Sequence, residues 1–457
     1  MQTVCEPKAH IKKFWREAAI RKECSYRLLR YTMRVEHNGE VLLHNLVTGQ
    51  LVVLSEEEDA ILRGLPAPYQ PLMDDLIALH FLVPVDYDEH KQVANLRKLL
   101  YSIYSSKKHP ITSYIILPTT ACNARCYYCY EQNYRHISMT EETAEEVVRF
   151  IGENCGDKKK VKIRWFGGEP TVGAERIDGI CRRLSEQGIS YTSTMTTNGY
   201  LFDEEMVAKA KTLWHLERVN ISVDGTEENY NRIKAYPGAL DNPYRRVLRN
   251  VGLLVGQGIR VSLRMNFDVK NASDFEGFVN DVEKLYGHHE LINLWAFPVG
   301  GEHPEADGCV AHGSDEWLAE KEIELNRIAE NRGFQKASGE LPCLQYLFCA
   351  GTLNGGTVIT PEGNLACCME RFEDPYTAGT LWDGVDRNRK SEWASYGETE
   401  ECADCPFYPQ CVKAMFCPGV GHCNPEKKER EYRNTIKNKY EIKMKRSETN
   451  GILEAFG

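Results

Sequence analysis

Between Ile111 and Gly333 the chain alternates short runs with apolar residues at every second position and longer runs with apolar residues at every third or fourth. TSYIILPTT precedes TEETAEEVVRFIGENC, VKIRWFGG precedes AERIDGICRRLSEQG, and YTSTMTTNG precedes DEEMVAKAKTL. LERVNISVDG precedes NPYRRVLRNVGLLVGQG, IRVSLRMNFDV precedes DFEGFVNDVEKLYG, and LINLWAFPV precedes WLAEKEIELNRIAENRG. Six strand-and-helix units in a row predict an α/β fold with a parallel sheet, because parallel neighbours need a crossover and the helix supplies it. Open or curled into a partial barrel, such a sheet gathers ligands at the carboxyl ends of its strands.

The flanks read differently. Residues 1–110 contain YRLLRYTMRVEHNGEVLLHNLVTGQLVVL, short alternating strands with a turn at His37, Asn38 and Gly39. SEEEDAILRG then starts a helix with Ser55 as N-cap and acidic residues in the first turn. After Gly333 the pattern gives way to cysteine, glycine and proline, with too little apolar period to build a core of its own. The tail from residue 431 to 457 is charged and predicts a solvated surface helix. The expected division is 1–110, 111–335, 336–430 and 431–457.

Composition narrows the classes. The 457 residues are 42% hydrophobic and 27% charged, an ordinary globular balance. A net charge of -10 and the lack of a basic stripe with interleaved aromatics argue against a nucleic-acid partner. The first residues have no apolar signal-like run and no later run is long enough to span a bilayer, so a cytoplasmic protein without a membrane partner is expected. In a reducing compartment, 17 cysteines point to metal rather than disulfides. Three lie at Cys122, Cys126 and Cys129 and nine between Cys343 and Cys423; Cys5, Cys24, Cys155, Cys181 and Cys309 are scattered and read as small hydrophobes or incidental thiols.

The loop after the first strand, ACNARCYYCYEQ, has the spacing C-x3-C-x2-C. Soft thiolates select zinc or iron-sulfur clusters. A zinc site would need a fourth ligand, for which His136 is a candidate. A 4Fe-4S cluster on three thiolates leaves one iron open. With GGEP at 167–170 after the second strand, TTNG at 196–199 after the third and SVDG at 222–225 after the fourth, residues 111–335 resemble the radical S-adenosylmethionine superfamily.

That resemblance implies a partial (β/α)6 barrel. It implies a cluster held by Cys122, Cys126 and Cys129, and S-adenosylmethionine bound at the open iron and cleaved to a 5'-deoxyadenosyl radical. Tyr128 is expected against the adenine, Gly167 and Gly168 at the methionine amino group with Glu169 accepting from it, Asn198 and Ser222 at the ribose, and Arg264 at the carboxylate. For the last three, a turn residue, a strand-end cap and a structural ion pair are the alternative readings.

The nine later cysteines resemble the SPASM auxiliary-cluster domain. The resemblance implies one auxiliary 4Fe-4S cluster on Cys343, Cys349, Cys368 and Cys417 and another on Cys402, Cys405, Cys411 and Cys423, three clusters in all. The pattern departs from the family where Met415 stands at the expected cysteine position and Cys417 follows it. Cys367 is a spare ligand or a structural thiol.

SPASM enzymes act on peptides or proteins, and residues 1–110 resemble the winged-helix-like modules that bind a leader peptide as an added strand; a structural cap is the plainer reading. The expectation is a maturase that installs a thioether in a ribosomally made precursor peptide, with a low-potential donor such as flavodoxin or ferredoxin. Formylglycine formation, carbon-carbon cross-linking and a non-catalytic electron carrier are the alternatives.

Overall fold

The computed structural model describes residues 1–15, 20–104, 110–131, 134–239, 241–299, 314–335, 341–346, 355–373, 376–393, 398–411 and 425–455. In the first hundred residues the alternating runs form β1 (Gln2–Cys5), β2 (Ser25–Leu28), β3 (Thr32–His37), β4 (Glu40–Asn45), β5 (Leu51–Val53), β6 (Ala67–Pro68) and β7 (Leu82–Pro84). They make two antiparallel sheets, ordered β1-β5-β4-β3 and β6-β2-β7. Asn38 and Gly39 turn the β3–β4 hairpin with φ of 50° and 82°, the backbone that Asn-Gly favours. The helix Glu56–Arg63 begins with a capping box: Ser55 Oγ accepts from the Glu58 amide, and the Glu58 carboxylate accepts from the Ser55 amide.

The central run folds as its period predicts. β8 (Ser113–Ile116), β9 (Lys160–Trp165), β10 (Ser190–Thr197), β11 (Leu216–Val223), β12 (Arg260–Phe267) and β13 (Ile292–Pro298) pair side by side, all parallel. Val161, Ile163 and Trp165 of β9, and Val261, Leu263 and Met265 of β12, are buried with residues of the crossover helices in the largest core. The alternate positions, Arg164, Asn220, Ser222, Ser262 and Arg264 among them, therefore line the inner face of the partial barrel. A further helix, Glu227–Lys234, escapes the apolar period because its buried residues are only Tyr230, Ile233 and Lys234. Cys155 and Cys181 are buried in this core, as small hydrophobes; Cys309 lies outside the described residues.

The cysteine-rich region corrects one expectation. It contains β14 (Gly356–Ile359), β15 (Asn364–Ala366), β16 (Thr377–Thr380) and β17 (Gly384–Val385). β14 pairs parallel with β8 and the others follow antiparallel, so the barrel sheet runs on to ten strands. The region gains a core by extending its neighbour's sheet.

The tail is a second correction. Its helix spans Pro425–Ala455, and Tyr432, Ile436, Tyr440 and Met444 form an i, i+4 stripe packed on the amino-terminal module. Ile436 is fully buried. The same core holds Leu46 and Val47 of the module and Leu341, Leu344, Phe407 and Tyr408 of the cysteine-rich region, so the two ends of the chain share one interior. Among the described residues no helix is long and apolar enough to cross a membrane.

Candidate active site

The three-cysteine loop leaves β8 and is closed at its neck. Thr119 Oγ1 donates to Ile137 O at 2.9 Å, Thr120 Oγ1 donates to Arg135 O at 2.6 Å, and the Ile137 amide donates back to Thr120 Oγ1 at 2.8 Å. Within the loop the Cys129 amide donates to Cys126 O at 3.1 Å, a tight turn that keeps the last two thiols together. Burial pushes the Cys122 thiol up to about 12, Cys129 to about 11, and Cys126 up as well. Such thiols stay protonated unless a cationic centre takes the protons' place, which suits ligands rather than redox-idle cysteines. His136 is exposed, and among the described residues no three His, Cys, Asp or Glu side chains converge on a single ion. Three thiols on one closed loop supply soft ligands, one short of the four that a structural zinc site takes.

Against that neck lies the GGEP turn. The Gly168 amide donates to Thr119 O at 3.2 Å and the Glu169 amide to Ala121 O at 2.9 Å. A Cβ on Gly167, whose φ is 111°, would lie 2.3 Å from Thr119 O; one on Gly168 would lie 2.4 Å from Thr120 O. Both glycines are thus required by the crossing of two backbones.

Glu169 is fully buried. Its Oε1 accepts from the Thr171 amide, Thr171 Oγ1 and Thr197 Oγ1, and its Oε2 accepts from the Asn198 amide at 2.7 Å. It therefore ties the second-strand turn to the third-strand turn, with Oε2 keeping room for one more donor. Asn198 points inward: its Nδ2 donates to Asn123 Oδ1 at 2.6 Å, and its Oδ1 accepts from the Tyr200 amide.

Tyr128, Ser222 and residues without any motif meet in one buried polar network. The Tyr128 hydroxyl lies 2.9 Å from both carboxylate oxygens of Asp224, and Asn266 Nδ2 donates to it at 2.8 Å. Lys234, 2% exposed, pairs with the fully buried Asp224 at 3.0 Å and donates to Ser222 Oγ at 2.8 Å. Asp224 holds the ammonium well above its usual range against the pull of burial. Lys234 also shares a field with Cys126, whose thiol it biases downward. Arg264, the cross-strand neighbour of Ser222 on the next strand, has its guanidinium over the rings of Trp295 at 5.8 Å and Phe297 at 5.4 Å. Asp224 belongs to the SVDG motif; Asn123, Lys234 and Asn266 carry no signal in the sequence beyond polarity.

Of the later cysteines, Cys343, Cys402 and Cys405 are half-buried against the core shared with the amino-terminal module. Cys367 is buried with Ala378 and Trp393, whereas Cys368 is half-buried and its sulfur accepts from the Glu370 amide at 3.4 Å. Cys411 is half-buried; Cys349, Cys417, Cys423 and Met415 lie outside the described residues. The loops that carry these thiols are pinned by the module. His44 Nε2 lies 2.9 Å from Pro342 O, the Leu344 amide donates to Val47 O at 3.0 Å, and Gln410 Nε2 donates to Leu46 O at 2.8 Å. Arg97, 1% exposed, donates to the carbonyls of Gln345, Tyr408 and Cys411 and stacks 4.3 Å from the Tyr408 ring.

Residues 116–282, from the end of β8 into the helix after β12, match the Radical SAM superfamily. The matched stretch is the barrel from β8 to β12. Among curated proteins, the chain is similar to Fe-coproporphyrin III synthase of Methanosarcina barkeri, 27% identical over 40% of this chain and 43% of that protein's length. The chain thus spans less than half of that relative.

Among solved structures the barrel and its flanks are similar to native anSMEcpe with bound AdoMet and Cp18Cys peptide, with a TM-score of 0.56, 17% identity, and coverage of 73% of this chain and all of that one. They are also similar to Streptococcus suis SuiB bound to precursor peptide SuiA, with a TM-score of 0.50, 13% identity, and coverage of 88% of this chain and 98% of that one. These likenesses show the fold, an α/β partial barrel followed by a cysteine-rich carboxyl-terminal region.

Proposed function

We propose that the chain is a radical SAM enzyme that modifies a peptide, with Cys122, Cys126 and Cys129 holding a 4Fe-4S cluster and S-adenosylmethionine completing it. The observation that carries this reading is the closed three-thiol loop seated on the carboxyl end of β8, with the glycine turn fitted against its neck. When bound, the cluster supplies one electron for reductive cleavage of S-adenosylmethionine, and through it the abstraction of an unactivated hydrogen.

The chain's own residues would bind and orient. The Gly167 and Gly168 backbone and Glu169 Oε2 face the methionine ammonium. Tyr128 and Asn198 sit on the adenosine side, the first held by Asp224 and Asn266 and the second by Asn123. Ser222, with Lys234 donating to it, is offered to the ribose edge and the carboxylate. Arg264, beside Ser222 on the next strand, is proposed to pair with the same carboxylate.

Two auxiliary 4Fe-4S clusters are proposed on Cys343, Cys349, Cys368 and Cys417, and on Cys402, Cys405, Cys411 and Cys423. The burial of Cys367 beside the half-buried Cys368 supports the choice within that pair. A low-potential flavodoxin or ferredoxin is the proposed electron source.

For the chemistry, oxidation of a peptide cysteine or serine to formylglycine takes precedence over the thioether. It is supported by the greater structural overlap with anSMEcpe, solved with a Cp18Cys peptide. A second reading, a precursor-peptide maturase forming a thioether or carbon-carbon bond, is supported by the likeness to SuiB bound to its precursor peptide, which covers 88% of this chain. In that reading a leader strand meets a filled edge. β1 already pairs with β5, and on the other side Arg433 of the tail helix donates to Arg34 O of β3 at 2.8 Å. A leader would extend the sheet from β1 or take its place.

Anaerobically reconstituted protein given S-adenosylmethionine and a strong reductant should release 5'-deoxyadenosine; none would refute the enzyme. With a cysteine-containing peptide, mass spectrometry separates the chemistries. Formylglycine exchanges sulfur for oxygen with loss of a hydrogen pair, and a thioether loses a hydrogen pair only.

A further inference from the structure

The inner face of the barrel carries more positive charge than the cofactor reading uses. Arg164, on the inner face of β9, has no hydrogen bond or ion pair among the described residues, although it is half-buried. Burial pushes its guanidinium down, and the like charge of Arg264 pushes the same way. Arg264 has aromatic rings beneath it and no carboxylate among the described residues. Arg164 opens into a cavity of about 410 Å³ at the amino ends of the strands, whose wall also holds Lys162, Arg218, Arg260, Glu217 and the Thr194 hydroxyl.

Four cations therefore face one carboxylate around this mouth, on a chain whose net charge is -10. An excess of positive charge converging on a half-buried, unpaired guanidinium focuses the field inward and favours an anion with planar acceptors. Carboxylates fit a guanidinium fork in two parallel hydrogen bonds, and the Thr194 hydroxyl is a further donor.

We propose that the amino-terminal part of the barrel lumen is an anion subsite in which Arg164, with Lys162, Arg218 and Arg260 around the mouth, receives a carboxylate of the peptide substrate. This rests on the peptide-modifying reading and narrows it to an acidic substrate. The carboxylate is that of an aspartate or glutamate side chain or of the peptide's carboxyl terminus.

The test is binding, read without turnover. Labelled, acetylated hexaglutamate amide is titrated by fluorescence anisotropy into the reconstituted holoenzyme at low salt, beside hexaglutamine as the amide and as the free acid. Hexaglutamate amide should bind wild type, and hexaglutamine amide should not. Arg164→Gln should weaken binding by about tenfold, the scale of one charge-assisted bond, with Arg164→Lys intermediate and the exposed Arg182→Gln unchanged. Binding of the hexaglutamine acid alone would assign the site to the terminal carboxylate, binding of hexaglutamate amide alone to side chains, and binding of both to either. Equal affinity in wild type and Arg164→Gln, or no binding of either carboxylate probe, overturns the proposal. Arg260→Gln, at the exposed rim, guards against a folding defect and should lose affinity too. Release of 5'-deoxyadenosine is scored separately, so failure of the enzyme reading and failure of the subsite are distinguishable.

Discussion

Replacing Arg97 by methionine keeps the length of the stem and removes the guanidinium that three carbonyls share. Two of its bonds, to Gln345 O at 3.2 Å and Cys411 O at 3.3 Å, are long, and the third, to Tyr408 O, is short. Hydrogen bonds to a charged donor contribute ~1.5–3 kcal/mol each when strong, and the stacking on Tyr408 adds ~1 kcal/mol. Counting the short bond fully and the long ones lightly, the change should cost about 3 kcal/mol. It would fall locally on the 402–411 loop. Tenfold per 1.4 kcal/mol makes that about a hundredfold in opening of the loop.

Hydrogen exchange by mass spectrometry reads the loss at the amides of Tyr408, Gln410 and Cys411, which bond to Cys405, Phe407 and Tyr408 carbonyls. Protection there should fall about a hundredfold, while Leu263 and Met265 of β12 keep theirs. Iron bound in a Cys122→Ala, Cys126→Ala, Cys129→Ala background should fall with it, since only auxiliary clusters remain there. Unchanged protection at 408–411, or a uniform loss across the barrel, would show that Arg97 does not pin the loop.

Gly168→Ala places a Cβ 2.4 Å from Thr120 O and 2.5 Å from Ala121 O, backbone atoms with no room to yield, so it should strip the first cluster, seen as a loss of about four irons from about twelve. Cys126→Ala should end S-adenosylmethionine cleavage, while Cys402→Ala should keep some cleavage and lose modified peptide; equal loss in a 5'-deoxyadenosine assay would make the later cysteines merely structural. Lys234→Met leaves Asp224 buried without its cation, at a cost of ~3–5 kcal/mol, and adding Asp224→Asn should recover part of the lost melting temperature. Arg34 and Arg63 hold the buried Asp59 carboxyl below its ordinary range. Its folded pKa is depressed, so its contribution is present above the ordinary carboxylate pKa and is lost as acid titrates through the lower folded value. Asp59→Asn should flatten the acid limb of a stability-against-pH curve, and an unchanged limb would refute that assignment.

The barrel was legible because burial on a parallel sheet repeats. Ile163 and Trp165, or Leu263 and Met265, announce a strand by position alone, and the helices between them do so by their third-and-fourth-residue stripe. Tyr432, Ile436 and Tyr440 carry a stripe too, but the lysines and glutamates around them outweigh it in composition, so the tail reads as solvated. Polar partners have no period at all. Lys234 finds Asp224 across a helix turn, Asn123 finds Asn198 across two loops, and Arg97 finds three carbonyls more than two hundred residues away. Each is chosen by a carbonyl or carboxylate that the fold has already buried, and only the folded chain says which. The GGEP glycines lie between these cases: the motif marks the place, yet what forbids a side chain there is the loop neck at Thr119 and Thr120. The turn and the cysteine loop therefore constrain each other before any cofactor arrives. The same logic separates Arg164 and Arg264 of the lumen from Lys234, because the lysine's charge is answered by Asp224 whereas theirs meets no carboxylate among the described residues.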